Sequence, residues 1–193
     1  MKTVTVEQFL KFNPCYPPEQ ICKIAGNKTE WTALDVLVLE DVPLGDRFWA
    51  VLREEFLDAP ILHEFACRCV EETLGIVNNL DEHTARYITV KREWLKGKVM
   101  TSELHVAREF VWESVRSVAA IYYVLWVSMH EDARRAAWET VQEGAYAVAW
   151  KGAQEHVQIA AQEAAWNAAL ETIWTKYLNI LTNLLLEKGD LII

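Results

Sequence analysis

The residues best suited to chemistry in this chain lie in one short stretch, His63-Glu64-Phe65-Ala66-Cys67-Arg68-Cys69. A histidine and a cysteine four residues apart share one face of a helix, as a pair of metal ligands would. Cys15 and Cys22 supply two further thiols upstream. The spacing argues against a shared ion, because Cys67 and Cys69 diverge by about 200° on a helix. The order is also not that of a zinc ribbon or finger. Cys67 stands where H-E-x-x-H has its second histidine, so a zinc protease is not indicated. Cysteine packs as a small hydrophobe, and the expectation is that these thiols are reduced, with no bound metal and no cofactor.

The other titratable groups read as surface. His83, His105, His130 and His156 are dispersed, and His130-Glu131-Asp132 suits a solvated junction between helices. Glu54-Glu55 and Glu71-Glu72 read as exposed helix faces. The most basic stretch, Arg86 to Lys98, interleaves cations with Tyr87 and Trp94. It is a candidate for nucleic-acid contact by charge and stacking, but reads better as an amphipathic helix with a solvated basic face. No G-x-S-x-G, P-loop or dinucleotide motif is present, and nothing points to a Cys–His nucleophile pair. The expectation is a protein without catalytic residues.

These groups need a scaffold, and the composition describes one. The chain has 193 residues, 52% hydrophobic and 24% charged, enough for one domain with a real core. Four of the five prolines precede residue 50, so breakers are few downstream. The formal charge is −9, with 12 Lys/Arg against 16 Asp/Glu in residues 1–101 and 7 against 12 in residues 102–193. Such a surface repels phosphate backbones. The longest apolar run, Val118 to Val127, is too short for a bilayer. No export signal is recognised at the start, and the expected location is the cytoplasm.

The elements follow from punctuation and periodicity. Thr5 is a cap candidate for a helix broken by Asn13-Pro14 and Pro17-Pro18, and Glu19 to Ala25 forms the next, ending at Gly26-Asn27. Thr29 is expected to cap a helix closed by Pro43 and Gly45. Asp46 then caps one carrying Phe48, Leu52 and Phe56 on a single face. A helix from Pro60 buries Leu62, Phe65, Ala66, Cys69 and Val70, followed by a turn at Asn78-Asn79. Another runs from Asp81 to Leu95, and Ser102 starts one reaching Met129.

Beyond it, 13 of residues 133–169 are alanine, the strongest helix former. An unbroken rod over residues 102–186 would be about 125 Å long, so reversals are expected near residues 130 and 152, making three long helices. Ala133, Ala137, Val141, Ala145, Val148 and Gly152 form one small-residue stripe. Ala149, Ala153, Val157, Ala160, Ala164 and Ala168 form a second, and both suit close helix packing. Trp138, Trp150 and Trp166 do not share a face on a straight helix. They read as large knobs between alanine-faced helices, with rim tryptophans as partner anchors. The fold class is therefore all-α: one domain over residues 1–193, with long alanine-rich helices (102–193) covered by short N-terminal helices (1–101).

The runs "DRFWAVLREEFL", "ILHEFACRCVEETL" and "VKREWLKGKVMTSELHVARE", followed by alanine–tryptophan repeats, resemble an alanine- and tryptophan-rich helical family of bacteria and their phages whose members are labelled immunity proteins. The resemblance spans residues 46–170, with Ala66-Cys67-Arg68-Cys69 and Trp94 to Gly97 as its signatures; the repeats are sparser here. It implies a non-catalytic protein that binds and blocks a partner protein, a toxin or defence component. The contacts expected are Trp138, Glu139, Glu143, Trp150 and Glu155. The alternatives are a self-assembling homo-oligomer and a Cys/His or metal-dependent enzyme.

Overall fold

The computed structural model describes residues 1–77, 82–114, 119–154, 156 and 158–189. Among them the chain forms ten helices and one two-stranded antiparallel ladder, Val4 opposite Trp31 and Thr5 opposite Glu30. The N-terminal cap comprises β1 (Val4–Thr5), α1 (Val6–Leu10), α2 (Pro18–Ala25), β2 (Glu30–Trp31), α3 (Ala33–Leu37) and α4 (Leu44–Val51). The body comprises α5 (Ala59–Val77), α6 (Glu82–Leu95), α7 (Thr101–Ser114), α8 (Ala119–Ser128), α9 (Ala133–Gln154) and α10 (Ile159–Gly189). The expected turn at Asn78-Asn79 lies outside the described residues. No described helix is long and apolar enough to cross a membrane.

Local chemistry sets the boundaries. Thr5 caps α1 through a reciprocal capping box with Gln8. Gly26 and Gly97 take positive φ, 57° and 67°, where α2 and α6 have ended. Four boundary expectations are corrected. Thr29 caps nothing: the chain extends into β2, and Thr32 caps α3 by a box with Asp35. Asp46 lies inside the first turn of α4, which starts earlier, after Pro43. That helix stops at Val51, so Leu52 and Phe56 reach the core from the following loop rather than from a shared face. Glu103 returns to the Met100 N–H at 3.2 Å, so α7 begins ahead of Ser102. The expected helix from Ser102 to Met129 is described as α7 and α8, and residues 115–118 between them lie outside the described residues.

The reversals fall where expected, between α8 and α9 and between α9 and α10. α5 runs beside α9 in the same direction: Thr73 lies against Gly144 and the Lys151 ammonium donates to the Ile76 carbonyl at 2.8 Å. Two apolar cores flank this pair. The first joins the cap, Leu62, Phe65 and Cys69 of α5, the Ala133-Ala137-Val141-Ala145-Val148 stripe of α9, and Ile173, Tyr177 and Leu181 of α10. The second joins Cys67, Val70 and Leu74 of α5 to Tyr87, Ile88, Leu104, Ala107, Val124 and Leu125 of α6 to α8. Cys67 and Cys69 thus face different cores, as their angular separation requires.

The first small-residue stripe is buried, and it lets Tyr177 cross α9 at Gly144. A Cβ there would fall on the Tyr177 hydroxyl and 2.8 Å from Thr73 Oγ1. Those two hydroxyls share a hydrogen bond of 2.5 Å, and Thr73 donates to the Cys69 carbonyl at 2.8 Å. The second stripe does not pack as expected: Ala160, Ala164 and Ala168 are exposed on α10, because the reversal after Gln154 separates them from Ala149.

Candidate interaction surface on the α9–α10 hairpin

Four aromatic side chains of the body are exposed among the described residues, Phe110 on α7, Tyr123 on α8, and Tyr146 and Trp150 toward the tip of the α9–α10 hairpin, where two of them sit together. Tyr146 and Trp150, four residues apart, are 49% and 48% exposed and lie nearly parallel, with ring centroids 6.4 Å apart and planes 9° apart. Trp166, half-buried on α10, meets Tyr146 edge-on at 5.3 Å. The antiparallel turn makes this possible, since it brings residues on either side of it level. The geometry joins one expected contact, Trp150, to two aromatic residues outside the expected set. The signal for Tyr146 was present: an aromatic i, i+4 pair on a helix otherwise faced with alanine.

The remaining expected contacts divide. Glu139 and Glu143 lie within about 60° of Tyr146 around α9 and share its outer face. Glu139 accepts from the Arg135 guanidinium at 2.7 Å, and burial together with Glu139 raises the Glu143 carboxyl above its ordinary range. Trp138 belongs elsewhere: it is half-buried, packs on the first core and lines a groove of about 450 Å³ with Trp49 and Trp174. It is therefore not part of a face with Trp150. Glu155 lies outside the described residues.

A second cluster forms behind the other end of the hairpin, around Lys91. This side chain is 1% exposed, donates to the His130 carbonyl and stands 4.3 Å from the Trp94 ring centre. Burial lowers its pKa to about 8. The solvated-basic-face reading of α6 is thus corrected at Lys91, which apolar contacts enclose. It is corrected at Arg92 too, which is forked onto Glu71 at 2.6 and 3.0 Å and onto Glu64 at 3.0 and 3.1 Å. Arg68 extends the chain of charges from Glu64 to Glu187. Glu71 and Glu72 are accordingly half-buried ion-pair partners, Glu72 taking Lys176.

His63 packs edge-on against Trp94 at 5.3 Å, and burial with nearby Lys91 lowers its pKa to about 4. His130 is also buried, contrary to the solvated-junction reading. Burial with the Arg108 charge brings it to about 4, while Glu131 and Asp132 stay exposed. Burial raises the Cys67 thiol to about 12. The cluster holds neutral imidazoles beside a protonated thiol, which is the reverse of an activated thiolate. Cys15 and Cys22 are exposed and belong to the cap, on other elements than the His63 helix. Among the described residues no group of three His, Cys, Asp or Glu could hold a metal ion.

Comparison with protein families, curated proteins and solved structures finds no match to this chain.

Proposed function

We propose that this protein binds another protein through the hairpin tip and blocks it by occupying its surface, as an immunity or counter-defence factor would. The observation that carries this reading is the stacked, half-exposed Tyr146–Trp150 pair buttressed by Trp166. Aromatic side chains with apolar bodies and polar edges are the residues that anchor interfaces. The two half-exposed rings and the edge of half-buried Trp166 present roughly 200–300 Å² of surface, the centre of a contact that typically covers about 800 Å² per partner. Glu139 and Glu143 flank the rings, and the net charge of −9 steers a basic partner toward them. No bond is made or broken in this mechanism.

Two contacts beneath the rings support the reading. Lys151 ties α9 to the end of α5, and Gly152 packs against Ala169, so the rings sit on a preorganised frame. The test is affinity capture from the native host lysate with the wild-type chain, Trp150→Ala and Trp138→Ala side by side. One stoichiometric protein that Trp150→Ala releases, that Trp138→Ala retains, and that rebinds when purified is the expected result. Equal capture by both variants would place the contact elsewhere. Sedimentation of the chain alone supplies the other outcome: a wild-type dimer that Trp150→Ala renders monomeric would assign the tip to self-assembly.

A further inference from the structure

Where the cap meets the base of the hairpin, at the end opposite the tip, the chain leaves a groove of about 450 Å³. Its walls come from three places. The loop after α1 brings Cys15, α4 brings Asp46 and Trp49, and the hairpin brings Trp138 and Gln142 from α9 and Trp174 from α10. The volume is that of a small-molecule site, and so is the lining, mostly aromatic with a few polar groups. All three tryptophans are half-buried, so none is sealed in the core.

The charge in the groove has one sign. Among the described residues Asp46 lines it and no Lys, Arg or His does. One Asp46 oxygen accepts from Tyr16 at 2.5 Å, and among the described residues no cation pairs with the carboxylate. The guanidiniums next to it in sequence are committed elsewhere. Arg47 donates to the Leu37 carbonyl at 2.8 Å, while Arg53 donates to the Trp49 carbonyl at 3.2 Å and lies over the Trp49 ring at 4.2 Å. Trp49 thus already holds one cation, which leaves Trp138 and Trp174 for another. Of the aromatic side chains tryptophan attracts a cation most strongly, and cages of such rings hold quaternary ammonium groups.

We infer that the groove is a binding site for a small quaternary ammonium compound of the choline type, its methylated head against Trp138 and Trp174 and its charge toward Asp46. A trimethylammonium group has no N–H, so it leaves no donor unmade in a groove with few acceptors. A primary ammonium gives up hydration that Asp46 and Gln142 replace only in part. A neutral molecule of the same shape fills the space without the attraction of ring and carboxylate for charge. An anion meets Asp46 as a like charge.

The site is tested on the full chain by calorimetric titration with choline, ethanolamine and 3,3-dimethyl-1-butanol, the neutral isostere of choline. Each is taken to about 10 mM, so that a millimolar site is still read. Choline is expected to bind about tenfold more tightly than the butanol, the scale of a desolvated cation–π contact, and more tightly than ethanolamine. Asp46→Asn, which keeps an acceptor for Tyr16, should weaken choline by about threefold to fivefold and leave the butanol unchanged. Cys15 reports the place: bound choline should slow its alkylation by iodoacetamide, while exposed Cys22, outside the groove, reacts as before. Trp150→Ala should alter none of this, so the site stands or falls apart from the hairpin tip. Equal binding of choline and the butanol overturns the proposal, as does preference for ethanolamine or silence from choline. Adhesion to phosphatidylcholine vesicles without binding of free choline overturns it in favour of a membrane surface.

Discussion

The α9–α10 hairpin carries tryptophans at both ends, and the surroundings give them opposite roles. At the base, Trp138 and Trp174 meet the cap: Trp174 lies 5.5 Å from Phe48, and Trp138 packs on the first core. At the tip, Trp150 stands half in solvent against Tyr146. The alanines divide by helix instead: Ala133, Ala137, Ala145, Ala147 and Ala149 are buried along α9, whereas Ala160, Ala164 and Ala168 of α10 are exposed. Residue type is the same at both ends. What differs is the number of neighbours: α5, the cap and α10 converge on the base, and the cap does not extend to the tip. Burial by a third layer turns a large aromatic side chain into core, and its lack leaves an anchor.

The largest expected effect tests where the locked part of the hairpin ends. Gly144→Ala places a methyl group on the Tyr177 hydroxyl and disturbs its bond to Thr73. It should lower stability by about 2–4 kcal/mol, combining overpacking with a disrupted buried hydrogen bond. Urea denaturation measures it; a loss below about 0.5 kcal/mol would mean that α9 and α10 separate freely there, and the two ends would no longer be distinct regions.

The next effect uses pH to perturb the base alone. Lys91, with its pKa lowered to about 8, takes up a proton less readily folded than unfolded, so it contributes stability that rises with pH from about 8 to 10.5. The buried Cys67 and Cys69 thiols, both raised, contribute the opposite slope above about pH 9, so the Lys91 contribution, about 1–3 kcal/mol, is read as the difference between the wild-type and Lys91→Met curves across that window. On the acid side, His63 and His130 stay neutral in the fold down to about pH 4. Unfolded histidines protonate near 6.5, so stability falls as pH drops between those values. Glu143 at the tip runs the other way, since its raised carboxyl pKa favours the folded state as pH falls through its range. A Lys91→Met curve that runs parallel to the wild type between pH 8 and 10.5 would remove Lys91 from this account.

The smallest effect is the most direct comparison. Trp138→Ala should cost about 1.5–2.5 kcal/mol, less than a fully buried tryptophan, whereas Trp150→Ala should stay within about 0.5 kcal/mol. Thermal denaturation of the two variants checks the order, and a reversed order would break the distinction between the ends.

The sequence spelled out the helices more clearly than their neighbours. Proline and glycine marked the cap, Thr5 marked a helix start, and helix length alone required the two reversals. Positions within one helix were also legible, as the Cys67–Cys69 divergence and the Ala133-to-Val148 stripe were. What failed depended on a second element. Trp138 and Trp150 were grouped because angular position cannot say which face a third layer covers. Lys91 and His130 read as solvated because local composition does not reveal that α5, α6 and the α8–α9 junction converge on them. Tyr146 stands out only once the turn brings Trp166 against it.

The divergence of Cys67 and Cys69 makes the two halves of the molecule separately accountable in time. One thiol is sealed by α6, α7 and α8, the other by the cap and α10, and both are buried. An alkylating reagent reaches each only when its own seal lifts, while exposed Cys15 and Cys22 react at once. The rates at two positions separated by a single residue therefore compare the opening of two cooperative units. Equal rates belong to a molecule that opens as a whole, and unequal rates to one whose two sides breathe independently about a shared α5.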